Sequence, residues 1–128
     1  MKRIGLLSDT HGFIDPKIYD YFKDVDEIWH AGDIGTIEVI DELRKFKPFR
    51  GVYGNIDDYS IRKEVPEFNR FHCENIEVLI THIGGRPGKF IPTALAEIKR
   101  KPPKLFICGH SHILLVKMDA QFNMLCMN

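Results

Sequence analysis

Two carboxylates, one carboxamide and four imidazoles stand just past the ends of short apolar runs: Asp9, His11, Asp33, Asn55, His82, His110 and His112. No sulfur is among them. Neutral imidazole with carboxylate suits borderline divalent ions such as Mn, Fe, Co, Ni and Zn, whereas Ca takes an oxygen cage. Seven such groups exceed the needs of one tetrahedral zinc. They match two ions that share a bridging carboxylate, as in many phosphate-cleaving centres. In Asp9-x-His11 and His110-x-His112 the paired groups lie two residues apart, and extended backbone would point both members of a pair the same way. Taken singly, Asp9 and Asp33 could cap a helix or close a turn, and Asn55 could be a left-handed turn residue.

The apolar runs that must position these groups fall into a clear order. Residues 2–7 read as a strand that runs into Ser8-Asp9. Asp15-Pro16 then reads as a helix start, with Ile18, Phe22 and Val25 at helical spacing. Residues 27–30 form a second strand ending at Ala31-Gly32-Asp33. Thr36 caps the next helix, whose Ile37, Ile40 and Leu43 make an apolar stripe alongside Val39, closed by Lys45, Lys47 and Pro48. Residues 49–53 are a third strand, ending at Gly54-Asn55. This β-α-β-α-β order is that of a parallel sheet, in which ligands gather beyond the carboxyl ends of the strands. The second half changes character. Residues 67–73 and 76–81 read as an antiparallel hairpin, 92–100 as a helix stopped by Pro102-Pro103, 104–108 as a strand, and 114–119 with 122–126 as a last hairpin. The class is α/β.

Asp9-x-His11, Gly32-Asp33, Gly54-Asn55, Thr81-His82 and Gly109-His110-Ser111-His112, in that order, resemble the signature blocks of the calcineurin-like metallophosphoesterases. The resemblance is strongest to their small YfcE-type branch, to which the retromer scaffold subunit is related, and it spans residues 2–112. It implies a four-layer α-β-β-α sandwich with a dimetal site at the strand ends between the sheets. It also implies that Asp9, His11 and His112 hold one ion, that Asn55, His82 and His110 hold the other, and that Asp33 bridges them together with a water or hydroxide. The implied cofactors are two divalent transition-metal ions, manganese foremost, with Fe, Ni, Co or Zn as other occupants. The implied reaction is hydrolysis of a phosphodiester or aryl phosphate by attack of that bridging hydroxide, with Asp33, Asn55 and His82 nearest the chemistry. The rival reading is a non-catalytic protein-interaction scaffold, as the retromer relative suggests. Loss of ligands would favour it, and all seven positions are present.

One departure from the wider superfamily is informative. Many members read Gly-Asn-His, the His assisting the leaving group, whereas this chain has Ile56 followed by Asp57. Substrates with acidic leaving groups, or protonation of the leaving group by a metal-bound water, are therefore expected. Asp57 and His30 are expected beside the ligand blocks, orienting them, although His30 reads equally as a satisfied strand histidine. His72 gets no role.

Composition bounds the remainder. The chain has 128 residues, and its 18 Lys plus Arg balance 18 Asp plus Glu. A single domain over residues 1–128 is expected. Zero net charge gives nucleic acid no help as a partner without excluding it, and the resemblance implies a small phosphate ester. The basic runs at Arg44–Arg50 and Lys99–Lys104 read as helix ends and solvated surface. No apolar run approaches the ~20 residues of a spanning helix. Cys73, Cys108 and Cys126 show no CxxC spacing and read as reduced thiols, for which the cytoplasm is the default compartment. Trp29, Tyr19, Tyr21 and Phe22 read as packing residues. Family members usually continue through an Asn-Pro-Gly-Ser turn, and Met127-Asn128 stands where that turn would begin. An incomplete second sheet with an open edge, inviting self-association into a homo-oligomer, is the expectation that follows.

Overall fold

A computed structural model describes all residues, 1–128. Strands β1 (Ile4–Leu7), β2 (Glu27–His30) and β3 (Phe49–Gly51) form a parallel sheet in the order β1-β2-β3. Its crossovers carry helices α1 (Lys17–Tyr21) and α2 (Ile37–Phe46), and α3 (Tyr59–Arg62) follows β3. The second sheet has the order β4-β5-β8-β10-β9, built from β4 (Phe68–Cys73), β5 (Ile76–Thr81), β8 (Leu105–Ile107), β9 (Val116–Asp119) and β10 (Met124–Met127). Its central strands β5, β8 and β10 run parallel, and β4 and β9 lie antiparallel at the edges. Between β5 and helix α4 (Pro92–Arg100), β6 (Gly85–Arg86) and β7 (Lys89–Phe90) make a separate small hairpin.

The layering follows from the alternation of side chains along buried strands. Ile28 of β2 joins Val39, Ile40, Leu43 and Ile61 in a core beneath the first three helices. Its neighbour Trp29 points the other way, into a core between the sheets with Val52, Val78, Ile80 and Ile107. Leu79 and Phe106 face the far side and pack with Ala94 and Ile98 of α4. Three cores separate four layers, α-β-β-α. Each fully buried aliphatic side chain contributes about 1.5–3 kcal/mol relative to exposure. Because residues such as Ile28 and Trp29 serve opposite faces, a one-residue slip of β2 would exchange two cores at once.

Several local readings are corrected. Helix α1 stops at Tyr21, and Phe22 and Val25 reach the core from the turn beyond it. The Asp15 carboxylate still receives the Lys17 N–H, at 2.9 Å. Tyr21 is not a packing residue but is 73% exposed, since the short helix offers only one apolar face. Thr36 sits at the cap of α2 without a side-chain bond, and its backbone carbonyl rather than its hydroxyl receives the Val39 N–H, at 3.2 Å. The hairpin turn at Glu74 and Asn75, with φ of 49° and 69°, is the left-handed pair a two-residue loop requires. The basic runs are partly paired on the surface, Arg44 with Glu64, Arg50 with Glu27 and Arg100 with Glu97.

Candidate metal centre

All five blocks converge on the carboxyl ends of the strands between the two sheets. The Asp9–Gly12 segment runs beside the Gly32–Ile34 segment, tied by Asp9 N–H to Gly32 O (2.9 Å), His11 N–H to Asp33 O (3.0 Å) and Gly12 N–H to Ile34 O (2.7 Å). The Gly109 N–H donates to His82 O at 2.9 Å, which draws the His110–His112 loop onto the end of β5. Seven side chains predicted from sequence meet here, six of them as two groups: Asp9, His11 and His112, and Asp33, His82 and His110. Asn55 lies in the same cleft as His82, along with Tyr53, Arg62 and Thr81.

Extended backbone does not aim these side chains. Asp9, His11, Asp33, His110 and His112 have φ of 56°, 51°, 56°, 71° and 58°, in the left-handed region. That conformation costs an ordinary residue about 1–3 kcal/mol, and persists only where neighbouring bonds over-determine it. The inter-loop ladder above supplies those bonds. Of the eight non-glycine residues with positive φ, these five belong to the ligand-type blocks and the other three, Glu74, Asn75 and Asn123, to turns. The motif glycines serve close approach: a Cβ on Gly54 would strike the Asp33 carboxylate, and one on Gly109 would strike Ser8 and Asp9.

The centre has a buried floor and an open rim. Asp33 and His82 are buried, Asp9 is half-buried, and His11, His110 and His112 are exposed. Asp33 Oδ2 lies between the two groups, 3.1 Å from His82 Nε2 and 3.7 Å from His11 Nε2. Asp9 Oδ1 lies 3.2 Å from His112 Nε2 and 3.7 Å from His82 Nε2. Burial pushes the Asp9 carboxyl upward, but the Ser8 hydroxyl, His82 and the His110 N–H outweigh it, so Asp9 stays ionised below its ordinary range.

The His82 tautomer follows from its partner. Nδ1 lies 2.7 Å from Ala31 O, a carbonyl that only accepts, so Nδ1 carries a proton and Nε2 is the ring atom left to face the centre as a ligand. That Nε2 and Asp9 Oδ1 are both buried and have no hydrogen-bond partner. Two acceptor atoms facing each other without a proton between them is unfavourable unless a cation intervenes. The donor set, the orphaned atoms and the backbone carbonyl behind His82 together fit a divalent ion.

Beneath the floor, His30 is fully buried and burial pushes its pKa down to about 4, leaving it neutral. The Asp57 carboxylate accepts from the N–H groups of Ile34 (3.0 Å), Gly35 (2.8 Å) and Gly54 (2.8 Å), clamping the Asp33 and Asn55 loops together. Sequence reasoning passed over Ser8, whose hydroxyl bonds Asp9, and Asn128, whose amide donates to Gly109 O at 3.2 Å. Adjacency to Asp9 was the available sign for Ser8. Asn128 offered none.

A family model for the calcineurin-like phosphoesterase superfamily domain matches residues 1–128. The chain belongs to that superfamily. Among curated relatives, this superfamily member is 36% identical over 85 residues to a probable metallophosphoesterase of Methanothermobacter thermautotrophicus, covering 62% of this chain and 48% of that protein. The chain spans about half the length, or less, of the curated relatives it matches. Among solved structures, a novel archaeal phosphodiesterase matches with a TM-score of 0.74 and 25% identity, over 98% of this chain and 82% of that one. Vps29 from Chaetomium thermophilum matches with a TM-score of 0.80 at 14% identity, over 100% of this chain and 70% of that one. The latter likeness is one of fold. No helix of this phosphoesterase-superfamily chain is long and apolar enough to cross a membrane.

Proposed function

We propose that this chain hydrolyses phosphate esters, aryl esters or diesters, with two divalent transition-metal ions as cofactors. Manganese is foremost for the chemistry of the donors, with Fe, Ni, Co or Zn as other occupants. Asp9, His11 and His112 would hold one ion, Asn55, His82 and His110 the other, and Asp33 would lie between them. The observation that carries this reading is the buried pair of partnerless atoms, Asp9 Oδ1 and His82 Nε2, 3.7 Å apart. Bound there, two such ions supply hydroxide near neutral pH and neutralise phosphate charge.

The chain's own groups then have definable tasks. The Ala31 carbonyl holds the His82 ring by its protonated Nδ1, which keeps Nε2 directed at the floor of the site. The Ser8 hydroxyl and the His110 N–H (3.3 Å) occupy Asp9 Oδ2, leaving Oδ1 for the centre. The Asn55 amide, exposed in the cleft, offers a neutral donor to a phosphate oxygen. Ile56 gives its N–H to Asp33 Oδ1 at 3.2 Å and has no side-chain proton for a leaving alkoxide. Acidic leaving groups follow as the preference. Three unpaired cysteines fit a reducing compartment such as the cytoplasm. A scaffold role draws only on the Vps29 likeness.

The test is hydrolysis of bis(p-nitrophenyl) phosphate by the manganese-loaded protein, its chelated form and Asp33→Ala. The expected loss in kcat/KM for either change is at least about a hundredfold. Full activity in Asp33→Ala would reject the reading.

A further inference from the structure

A cavity of about 380 Å³ opens beside the centre, between the β6–β7 hairpin and the loop carrying His110 and Ser111. His110 belongs both to this cavity and to the group formed with Asp33 and His82. A phosphate ester seated at the centre therefore reaches the cavity with its substituent. Ile83, Ile91, Ile113 and Leu115 make one part of the wall apolar, and Arg86 and Lys89 make the other part cationic. No Asp or Glu side chain lines it.

The two cations are held together by the hairpin itself. Arg86 pairs with Lys89 directly across β6 and β7, so both side chains leave the same face of the ribbon. Gly88, at φ of 85°, makes the tight turn that fixes this register. Like charges directly opposed on two strands are mutually destabilising. Arg70 on the second sheet, and Arg100 and Lys101 at the end of α4, are relieved by Glu77 and Glu97, whereas Lys99 and Lys117 are exposed single charges with no cation directly opposite. Arg86 and Lys89 make no ion pair and no side-chain hydrogen bond. An opposed pair of cations at the mouth of an apolar cavity calls for a ligand that ends in an anion.

We propose that this cavity is a subsite for an ester substituent that bears its own anionic group, a carboxylate, sulfonate or second phosphate on an apolar body, with Arg86 and Lys89 holding that group. The inference rests on the phosphoesterase reading above and narrows its substrate class. A substrate of this class carries two anions, the scissile phosphate at the centre and a second one at the hairpin.

Diphenyl phosphate and bis(4-carboxyphenyl) phosphate separate the possibilities, since both arms of each diester are alike and orientation does not matter. With manganese-loaded protein, kcat/KM should favour the carboxylated diester, and Arg86→Gln/Lys89→Gln should lower that preference about tenfold or more, the effect of losing charge-assisted contacts. An unchanged ratio in the double variant, including one reached by an equal fall on both diesters, overturns the subsite. Calorimetric binding of bis(4-carboxyphenyl) phosphate keeps the two readings apart. Tight binding that depends on Arg86 and Lys89, with no turnover of either diester, rejects the phosphoesterase and retains the subsite. Turnover with binding indifferent to the two residues rejects the subsite and retains the phosphoesterase.

Discussion

The His30 ring, with no solvent exposure, places Nε2 2.9 Å from the Thr10 hydroxyl, which lies between Asp9 and His11. The Gly32 N–H donates to His30 Nδ1 at 3.1 Å, so Nδ1 is the acceptor and Nε2 carries the proton. His30 therefore donates to Thr10, and Thr10 donates in turn to Ile34 O at 2.9 Å. One neutral imidazole thus joins the Asp9–His11 loop to the Gly32–Ile34 loop. The arrangement needs the neutral form, because a proton on Nδ1 would set it against the Gly32 N–H.

The first prediction follows from that neutrality. Burial holds the His30 pKa near 4, below its ordinary 6.5. Between these values the unfolded chain binds a proton that the folded protein refuses, so stability rises with pH through this window. The contribution is complete above about pH 6.5 and is lost as pH falls toward 4, amounting to about 2 kcal/mol between pH 7 and 5. Urea unfolding of chelated protein at the two pH values should show it. His30→Gln should be less stable at pH 7 and lose less on acidification; an equal pH slope in both proteins would refute the assignment.

A second prediction concerns Asp57, which no sequence block includes as a ligand. Its carboxylate satisfies three buried or half-buried N–H groups on two loops. Asp57→Ala should cost about 3 kcal/mol or more, since each orphaned donor loses a charge-assisted bond. It should also weaken manganese binding about 10–100-fold, because the Asp33 and Asn55 loops lose their common clamp. Denaturation midpoints and metal titration of the folded variant report the two effects separately. A destabilised variant with unaltered metal affinity would restrict Asp57 to folding.

A third prediction comes from Ile56, 45% exposed where many superfamily members carry an imidazole. Across aryl phosphate esters, log kcat should fall steeply as leaving-group pKa rises. Ile56→His should flatten that slope. A flat dependence in the wild-type protein would show that another group protonates the leaving oxygen.

The strand ends were legible because every apolar run stops at a glycine or polar block, so Asp9, Asp33 and Asn55 could be placed at one edge of a parallel sheet and His82 and His110 at the ends of later strands, while the parallel pairing of β5 with β8 carried no sequence signal. The hairpin at Glu74-Asn75 and the helix from Pro92 to Arg100 carry local turn and cap signals, and fall where those signals put them. What lay beyond the sequence was non-local. The left-handed φ at five ligand-type residues arises from bonds between loops some 20 residues or more apart. Phe22 and Val25 keep helical spacing yet leave the helix, since apolar side chains can reach a core from a turn as well as from a helix. The β6–β7 hairpin is two residues per strand, too short for any periodicity to register. Arg86 and Lys89 become a pair only through its register.

The central claim is that six side chains of the two groups, with Asn55, hold a pair of ions on which hydrolysis depends. Measuring bound manganese by equilibrium dialysis alongside bis(p-nitrophenyl) phosphate hydrolysis tests it most directly. Metal-free protein should be inactive, activity should return as occupancy approaches about two ions per chain, and Asp33→Ala should regain neither full occupancy nor activity. Hydrolysis by the metal-free protein, or full activity in Asp33→Ala, would contradict the account.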